Sequence, residues 1–233
     1  MSRSLRLLLS AEHPCSYLAD TSSSTLFIDP ETPLDASLYS QLAQQGFRRS
    51  GDHVYRPHCP TCQECKAIRL TVSDFQASRQ QRRTWNRNRD LTTTVTTTPD
   101  RQEHLALFQR YVKSRHPSGG MDEMEGNAPL EFLQSPWQKT LFYEFRDPQG
   151  ALLSVAVSDQ LSDGLSAVYS YFEPDESKRS LGVMSILWQI EQARQNQLPF
   201  LYLGYWIQGC RKMCYKTNYS PLQWFNGKKW QPL

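Results

Sequence analysis

The chain has 233 residues, 39% of them apolar and 21% charged, with a formal net charge of +3. That is enough for one large domain or two small ones with a real core, and it excludes a disordered, collagenous or membrane-spanning chain. Leu5–Leu9 is too short for a signal-peptide core, so a cytoplasmic protein is expected; its six cysteines then stay reduced and raise a question of metal ligation, not of disulfides.

Residues 1–75 read as a small N-terminal domain opening on the turn-like stretch His13-Pro14-Cys15-Ser16-Tyr17-Leu18. Thr25–Ile28 has the look of a short strand, 36–45 of a helix ended by Gly46, and 47–56 of a hairpin turning at Ser50-Gly51-Asp52. Pro57-His58-Cys59-Pro60-Thr61-Cys62-Gln63-Glu64-Cys65 then leads into a strand over 67–72. Cys59, Cys62 and Cys65 form a C-x2-C-x2-C run, and a tight turn brings thiolates three residues apart onto one soft ion. Three ligands are one short of a closed tetrahedral site, so Cys15, His13 or His58 would complete it for zinc or an iron–sulfur cluster. The same spacing also suits a knuckle of thiols that bind nothing.

Residues 76–98 read as an Arg-rich connecting segment. Arg79, Arg82, Arg83, Arg87 and Arg89 occur with no acid before Asp90. On a helix, positions 79, 82, 83 and 86 share a face, so three guanidinium groups point one way, with Trp85 available for stacking. This is a phosphate-binding footprint, because an ordinary solvated helix interleaves both signs of charge. The Thr-rich stretch 91–98 favours a strand.

Residues 99–233 alternate helices and strands. A helix over 99–115 starts at Thr98-Pro99-Asp100 and carries the stripe Leu105, Phe108, Tyr111 and Val112. An acidic loop at 122–126 and a short helix from Leu130 follow. Thr140–Phe145 and Leu152–Ser158 are strands joined by the turn Asp147-Pro148-Gln149-Gly150, and Ala167–Phe172 is a third. Residues 180–195 form a buried helix, and Phe200–Ile207 a fourth strand. That order predicts an α+β fold with a mostly antiparallel sheet and one βαβ crossover. From Gly204 to Leu233 there is no Asp or Glu, so the last strand runs into the uncompensated cations Arg211, Lys212 and Lys216. A buried strand with a solvated basic exit accounts for this composition as well as a site does.

The element order resembles the N-acetyltransferase-like (GNAT) acyltransferase fold, here behind a small Cys-containing N-terminal domain. In that fold the strands flanking the central helix, Ala167–Phe172 and Phe200–Ile207 here, splay apart and the acyl donor lies in the gap. The intervening turn Lys178-Arg179-Ser180-Leu181-Gly182 holds a single Gly, a poor cradle for the pyrophosphate of coenzyme A.

More specifically, the residues resemble the arginyl/leucyl-tRNA–protein transferases. His13 to Leu18, Phe47-Arg48-Arg49-Ser50-Gly51, Tyr55-Arg56-Pro57-His58-Cys59 and Ile68-Arg69 are similar to the N-terminal domain of that family. Tyr169-Ser170-Tyr171-Phe172, Ser180-Leu181-Gly182, Tyr202-Leu203-Gly204-Tyr205-Trp206-Ile207 and Met213-Cys214-Tyr215-Lys216 are similar to its C-terminal domain. The short length, and Cys15-Ser16-Tyr17-Leu18 where eukaryotic relatives carry a second cysteine, resemble the bacterial branch. That branch adds Leu from leucyl-tRNA to proteins beginning with Asp or Glu and marks them for degradation.

The resemblance implies an aminoacyltransferase whose partners are leucyl-tRNA and proteins with N-terminal Asp or Glu, with no membrane involved. It places Tyr205, Tyr215 and Lys216 in catalysis; Arg69, Arg79, Tyr171, Ser180 and Gly182 in substrate binding; and Arg79, Arg82, Arg83, Arg87, Arg211 and Lys212 on tRNA. An aminoacyl ester is already activated, so the chemistry requires no cofactor; Cys15, Cys59, Cys62 and Cys65 are the candidates for zinc or an iron–sulfur cluster. A bidentate Arg best matches an acceptor carboxylate, so Arg69 and Arg79 are assigned to the acidic residue, and Lys216 to the donor's terminal phosphates or the oxyanion. The alternatives are arginyl transfer by the same route, a coenzyme A-dependent N-acetyltransferase, and a metal-knuckle RNA-binding protein without catalysis.

Overall fold

The computed structural model describes residues 4–115, 124 and 126–233. Residues 122, 123 and 125 of the expected acidic loop lie outside them.

The N-terminal segment contributes strands β1 (Leu7–Leu9), β2 (His13–Pro14), β3 (Ser22–Ser23) and β4 (Thr25–Ile28), helix α1 (Ala36–Gln44), and strands β5 (Arg48–Ser50) and β6 (His53–Pro57). Four of the strands form an antiparallel sheet in the order β1-β4-β6-β5, while β2 and β3 pair as a separate ribbon. The Asp35 carboxylate caps α1 by accepting the Leu38 N–H at 2.7 Å. Gly46 closes the helix with φ +80, a conformation that costs a side-chain-bearing residue strain. The inward face of α1 buries Tyr39, Leu42 and Ala43 against Phe47 and Val54.

The rest of the chain forms β7 (Lys66–Thr71), α2 (Arg79–Arg87), β8 (Thr92–Thr96), α3 (Arg101–Arg115), α4 (Ala128–Leu133), β9 (Thr140–Arg146), β10 (Leu152–Gln160), β11 (Gly164–Phe172), α5 (Leu181–Gln195), β12 (Phe200–Trp206), β13 (Leu222–Phe225) and β14 (Trp230–Pro232). Eight strands make one sheet in the order β14-β13-β7-β12-β11-β10-β9-β8. Among the described residues only β11 and β12 pair in parallel, with α5 as their crossover, so the architecture is the mixed α+β arrangement that the element order predicts. Strand β10 alternates across the two faces. Its Val155 and Val157 pack under α3 with Leu107, Phe108 and Val112, while Ser154 and Ser158 face Ser185 and Gln189 of α5. Beside them α5 covers Ile68, Leu70, Leu201 and Leu203 with Leu187, Ile190 and Ala193. Each such large aliphatic side chain contributes roughly 1.5–3 kcal/mol of burial.

Three placements differ from the sequence reading. Strand β7, assigned to the first 75 residues, lies in the large sheet between β12 and β13, so both ends of the chain build it. The segment 76–98 is not a free connector: α2 packs on α5 and β8 is an edge strand of the same sheet. Its Trp85 is already stacked on Trp188, with ring centres 5.9 Å apart and planes 15° apart, and is therefore not available to a base. The sequence reading also misses β1 to β3, β13 and β14, which are too short to show a period.

A buried ion pair ties the two sheets together. Arg49 of β5 donates from Nε and Nη2 to the Asp159 carboxylate of β10 at 2.7 and 2.6 Å, and both side chains are fully buried. The same Nη2 reaches the Leu133 carbonyl at 2.8 Å and the Thr140 hydroxyl at 3.0 Å. This clamp holds β5 against the sheet and so fixes its neighbour, Arg48.

Candidate functional site

The β11–β12 ladder is short. It pairs Gly164, Leu165 and Ser166 with Phe200, Leu201 and Tyr202, and beyond them the two strands part. Backbone carbonyls exposed by such a gap need donors, and two cations supply them. Arg48 donates from Nη1 to the Ser166 hydroxyl at 2.8 Å and from Nη2 to the Ala167 carbonyl. Lys216, on a 3-10 turn at Cys214–Asn218, donates from Nζ to the Tyr205 carbonyl at 2.6 Å. Between them Gly204 takes φ +79 beside a break in the β12–β7 register. Arg48 and Lys216 are each only 9% exposed.

The gap opens into a cleft of about 890 Å³. Arg48, Arg115, Lys212 and Lys216 line it against a single carboxylate among the described residues, that of Glu176; Arg49, beneath the floor, is neutralised by Asp159. Burial first, and then the adjacent charge of Arg48, pull the Lys216 amine down from 10.5 to about 7. The N-terminus of α5 faces the same cleft. Ser180 there is left-handed, at φ 55 and ψ 48, and Gly182 lets the Phe172 ring come within 3.1 Å of where a Cβ would be.

The structure gathers some of the expected site residues and disperses others. Lys216, Tyr205, Tyr215, Ser180, Gly182 and Lys212 all line the cleft. Tyr215 lies exposed at its mouth, whereas the Tyr205 hydroxyl donates inward to the Gly46 and Tyr55 carbonyls, at 2.9 and 3.2 Å. Burial, followed by the neighbouring Tyr55, raises the Tyr205 pKa well above that of an ordinary phenol. Tyr205 therefore anchors β12 to the N-terminal segment through these carbonyls.

Tyr171 does not line the cleft. It is fully buried under α3 with its hydroxyl 2.6 Å from His104 Nδ1, and His104 Nε2 lies 3.1 Å from Glu144. Arg69 is also elsewhere. Its guanidinium lies 3.5 Å from the Phe200 ring centre and 4.3 Å from that of Trp230, and it donates to Gln223 at 2.9 Å and Tyr202 at 3.1 Å. The Asp163 carboxylate 3.9 Å away and the surrounding rings already pair this cation. Arg79 is exposed at the start of α2 and does not line the cleft.

On α2 the sequence-predicted face is the outward one. Gln81, Thr84 and Asn88 are buried, while Arg79, Arg82, Arg83 and Arg87 are exposed, as is Arg211 near Lys212. The helix is tied to both rims of the cleft. Arg87 donates to the Lys178 carbonyl and Asn88 to that of Arg179 at 2.9 Å; Gln81 donates to that of Asn218 at 2.9 Å. Sequence reasoning gives no role to Arg48; an arginine pair inside a hairpin strand otherwise facing a core was the available signal.

Cys15, Cys59, Cys62 and Cys65 line the cleft as well. Burial, then the nearby Cys59, Cys15 and Cys62 thiols, push Cys65 up to about 12, so the four lie close together. Yet among the described residues no three His, Cys, Asp or Glu side chains converge as a metal requires.

A short parallel ladder thus opens into a cationic cleft with a helix N-terminus on its wall. Family models for arginine-tRNA-protein transferase match this chain twice, the N-terminal model over residues 13–83 and the C-terminal model over 103–226. The aspartate/glutamate leucyltransferase of Hahella chejuensis is 49% identical over 221 residues, covering 95% of this chain and 94% of that protein. The protein of the same name from Teredinibacter turnerae is 50% identical over 226 residues, covering 97% and 93%. The chain belongs to the arginine-tRNA-protein transferase family. The solved structure of L-PGS from Bacillus licheniformis overlaps it with a TM-score of 0.47 at 12% identity, covering 60% of this chain and 45% of that one, a distance at which nothing about function transfers.

Proposed function

We propose that the chain is an aminoacyl-tRNA–protein transferase that moves Leu from leucyl-tRNA to the α-amine of proteins beginning with Asp or Glu, marking them for degradation. The observation that carries this reading is the cleft itself: the ladder stops after Ser166 and Tyr202, and among the described residues cations outnumber carboxylates in the opening. The reading takes the fold as GNAT-like, with the acyl donor in the gap between β11 and β12. Ser180, Gly182 and the free N–H groups of the first turn of α5 face the donor's terminal phosphate. The outward arginines of α2, bound through that helix to both cleft rims, follow the acceptor stem.

In the reaction the acceptor α-amine attacks the ester carbonyl. A C–N bond forms, the C–O bond to the ribose breaks, and the amine proton ends on the ribose oxygen. The ester is already activated, and an α-amine with a pKa of roughly 7.7–8.0 is partly neutral at pH 7, so no strong base is required. Holding the two reactants in line is worth roughly 7–11 kcal/mol. Charged tRNA is a cytoplasmic reactant, which places the protein there; among the described residues no helix is long and apolar enough to cross a membrane.

The test is to incubate the protein with leucyl- or arginyl-tRNA and a peptide beginning with Asp, and to weigh the product. A mass gain of one leucyl residue is expected. Arginyl addition would instead favour the second reading, prompted by the description of the matching family models. Acetylation from acetyl-coenzyme A, with no transfer from either tRNA, would sink both.

A further inference from the structure

We propose that Arg48 and Lys216 form a two-cation site that holds the side-chain carboxylate of the acceptor's first residue. The proposal rests on the transfer reading above and assigns the step that Arg69, in its aromatic cage, and Arg79, outside the cleft, are not placed to perform.

The two cations reach one point from different parts of the chain. Arg48 comes from β5 in the N-terminal sheet, and Lys216 from the turn that follows β12. The position a Cβ would take on Gly204 lies 3.7 Å from Arg48 Nε and 3.7 Å from Lys216 Nζ, and glycine leaves that position open. No carboxylate meets either group among the described residues. Arg48 commits one N–H of each terminal nitrogen, to the Ser166 hydroxyl and the Ala167 carbonyl, and keeps others to spare, among them the Nε–H nearest the Gly204 position. Lys216 commits one N–H to the Tyr205 carbonyl and has two to spare.

Two buried like charges with spare donors are a costly arrangement that an anion relieves. A planar carboxylate fits it, with one oxygen for Arg48 Nε–H and the other for the Lys216 ammonium. A phosphodiester fits worse, because both cations sit at the floor of the gap while the exposed Lys212 and Arg211 lie nearer solvent. An amide fits worst. The NH2 of Asn or Gln would set donors against donors and leave a cation unsatisfied. The pair thus separates Asp from Asn by charge.

The test measures binding first and transfer second. The full-length protein is titrated calorimetrically, without tRNA, with short peptides differing only in an Asp or Asn first residue. The Asp peptide should bind about 10- to 100-fold more tightly, as befits a charged hydrogen bond that Asn cannot make. Lys216→Gln should reduce that preference to within about threefold. Arg48→Lys keeps the charge but loses the fork, and should retain an intermediate preference. If native protein does not distinguish the peptides, or the preference survives in both variants, the proposal is overturned. It is equally overturned if Lys216→Gln weakens only leucyl-tRNA binding, which would make the site one for phosphate. A protein that selects the Asp peptide but transfers no amino acid would leave this site standing and refute the proposed function.

Discussion

Replacing Lys216 with Met should make the protein more stable. In the unfolded chain this amine titrates near 10.5, and in the fold near 7. Between those values the unfolded state binds the extra proton, so native stability rises with pH across that window. Above 10.5 both states are neutral and the penalty vanishes; below 7 both are charged and it is complete. At about 1.4 kcal/mol per pH unit, the full penalty is roughly 5 kcal/mol. Met removes it but orphans the Tyr205 carbonyl, which returns roughly 1–3 kcal/mol. The net gain at pH 7 is then about 2–4 kcal/mol, which for a chain of this length raises the melting temperature by roughly 5–15 °C. The assay is a set of urea titrations of both proteins at pH 7, 8, 9 and 10, with the slope checked for constancy. The gain should shrink steadily toward pH 10. A variant no more stable than the native protein at pH 7, or a gain that stays flat with pH, would refute the reasoning. Such a gain, together with weakened acceptor binding, is the trade expected of a site whose charge is uncompensated until its ligand arrives.

Two further outcomes are expected. Arg49→Met should destabilise the protein by roughly 3–5 kcal/mol in urea titration, because it strands the fully buried Asp159; the double variant Arg49→Met/Asp159→Leu should recover much of the loss, and no recovery would mean that the pair stabilises in itself. Replacing Arg79, Arg82 and Arg83 with Ala should weaken tRNA binding and lower its logarithmic salt slope by about 0.9 for each phosphate no longer neutralised, leaving peptide binding intact; an unchanged slope removes this face from the tRNA path.

Local pattern carried much of the architecture. Apolar runs and turn residues marked the four central strands, α1, α3 and α5, and Gly46 stands where α1 ends. The order strand, helix, strand at β11, α5 and β12 was enough for a parallel crossover, whereas the gap between those strands was implied only by the resemblance to the acyltransferase fold. The outward arginine face of α2 was also legible, since helical periodicity fixes which residues share a side.

What the chain alone determined was therefore periodicity, turn chemistry and the absence of acids after Gly204. Tertiary structure decided what each charge meets. Arg69 and Arg48 look alike in sequence, each an arginine on a short strand, yet one is caged by Phe200 and Trp230 and the other ends in the open V of the sheet. Tyr171 and Phe172 are neighbours, yet of the two only Phe172 lines the cleft. The Lys216 pKa is lowered first by burial, which no local pattern announces, and then by Arg48, which β5 delivers beside it from the far end of the chain. Strand pairing and burial across more than a hundred residues set these meetings, and a residue's own neighbours in sequence carry no record of a partner that distant.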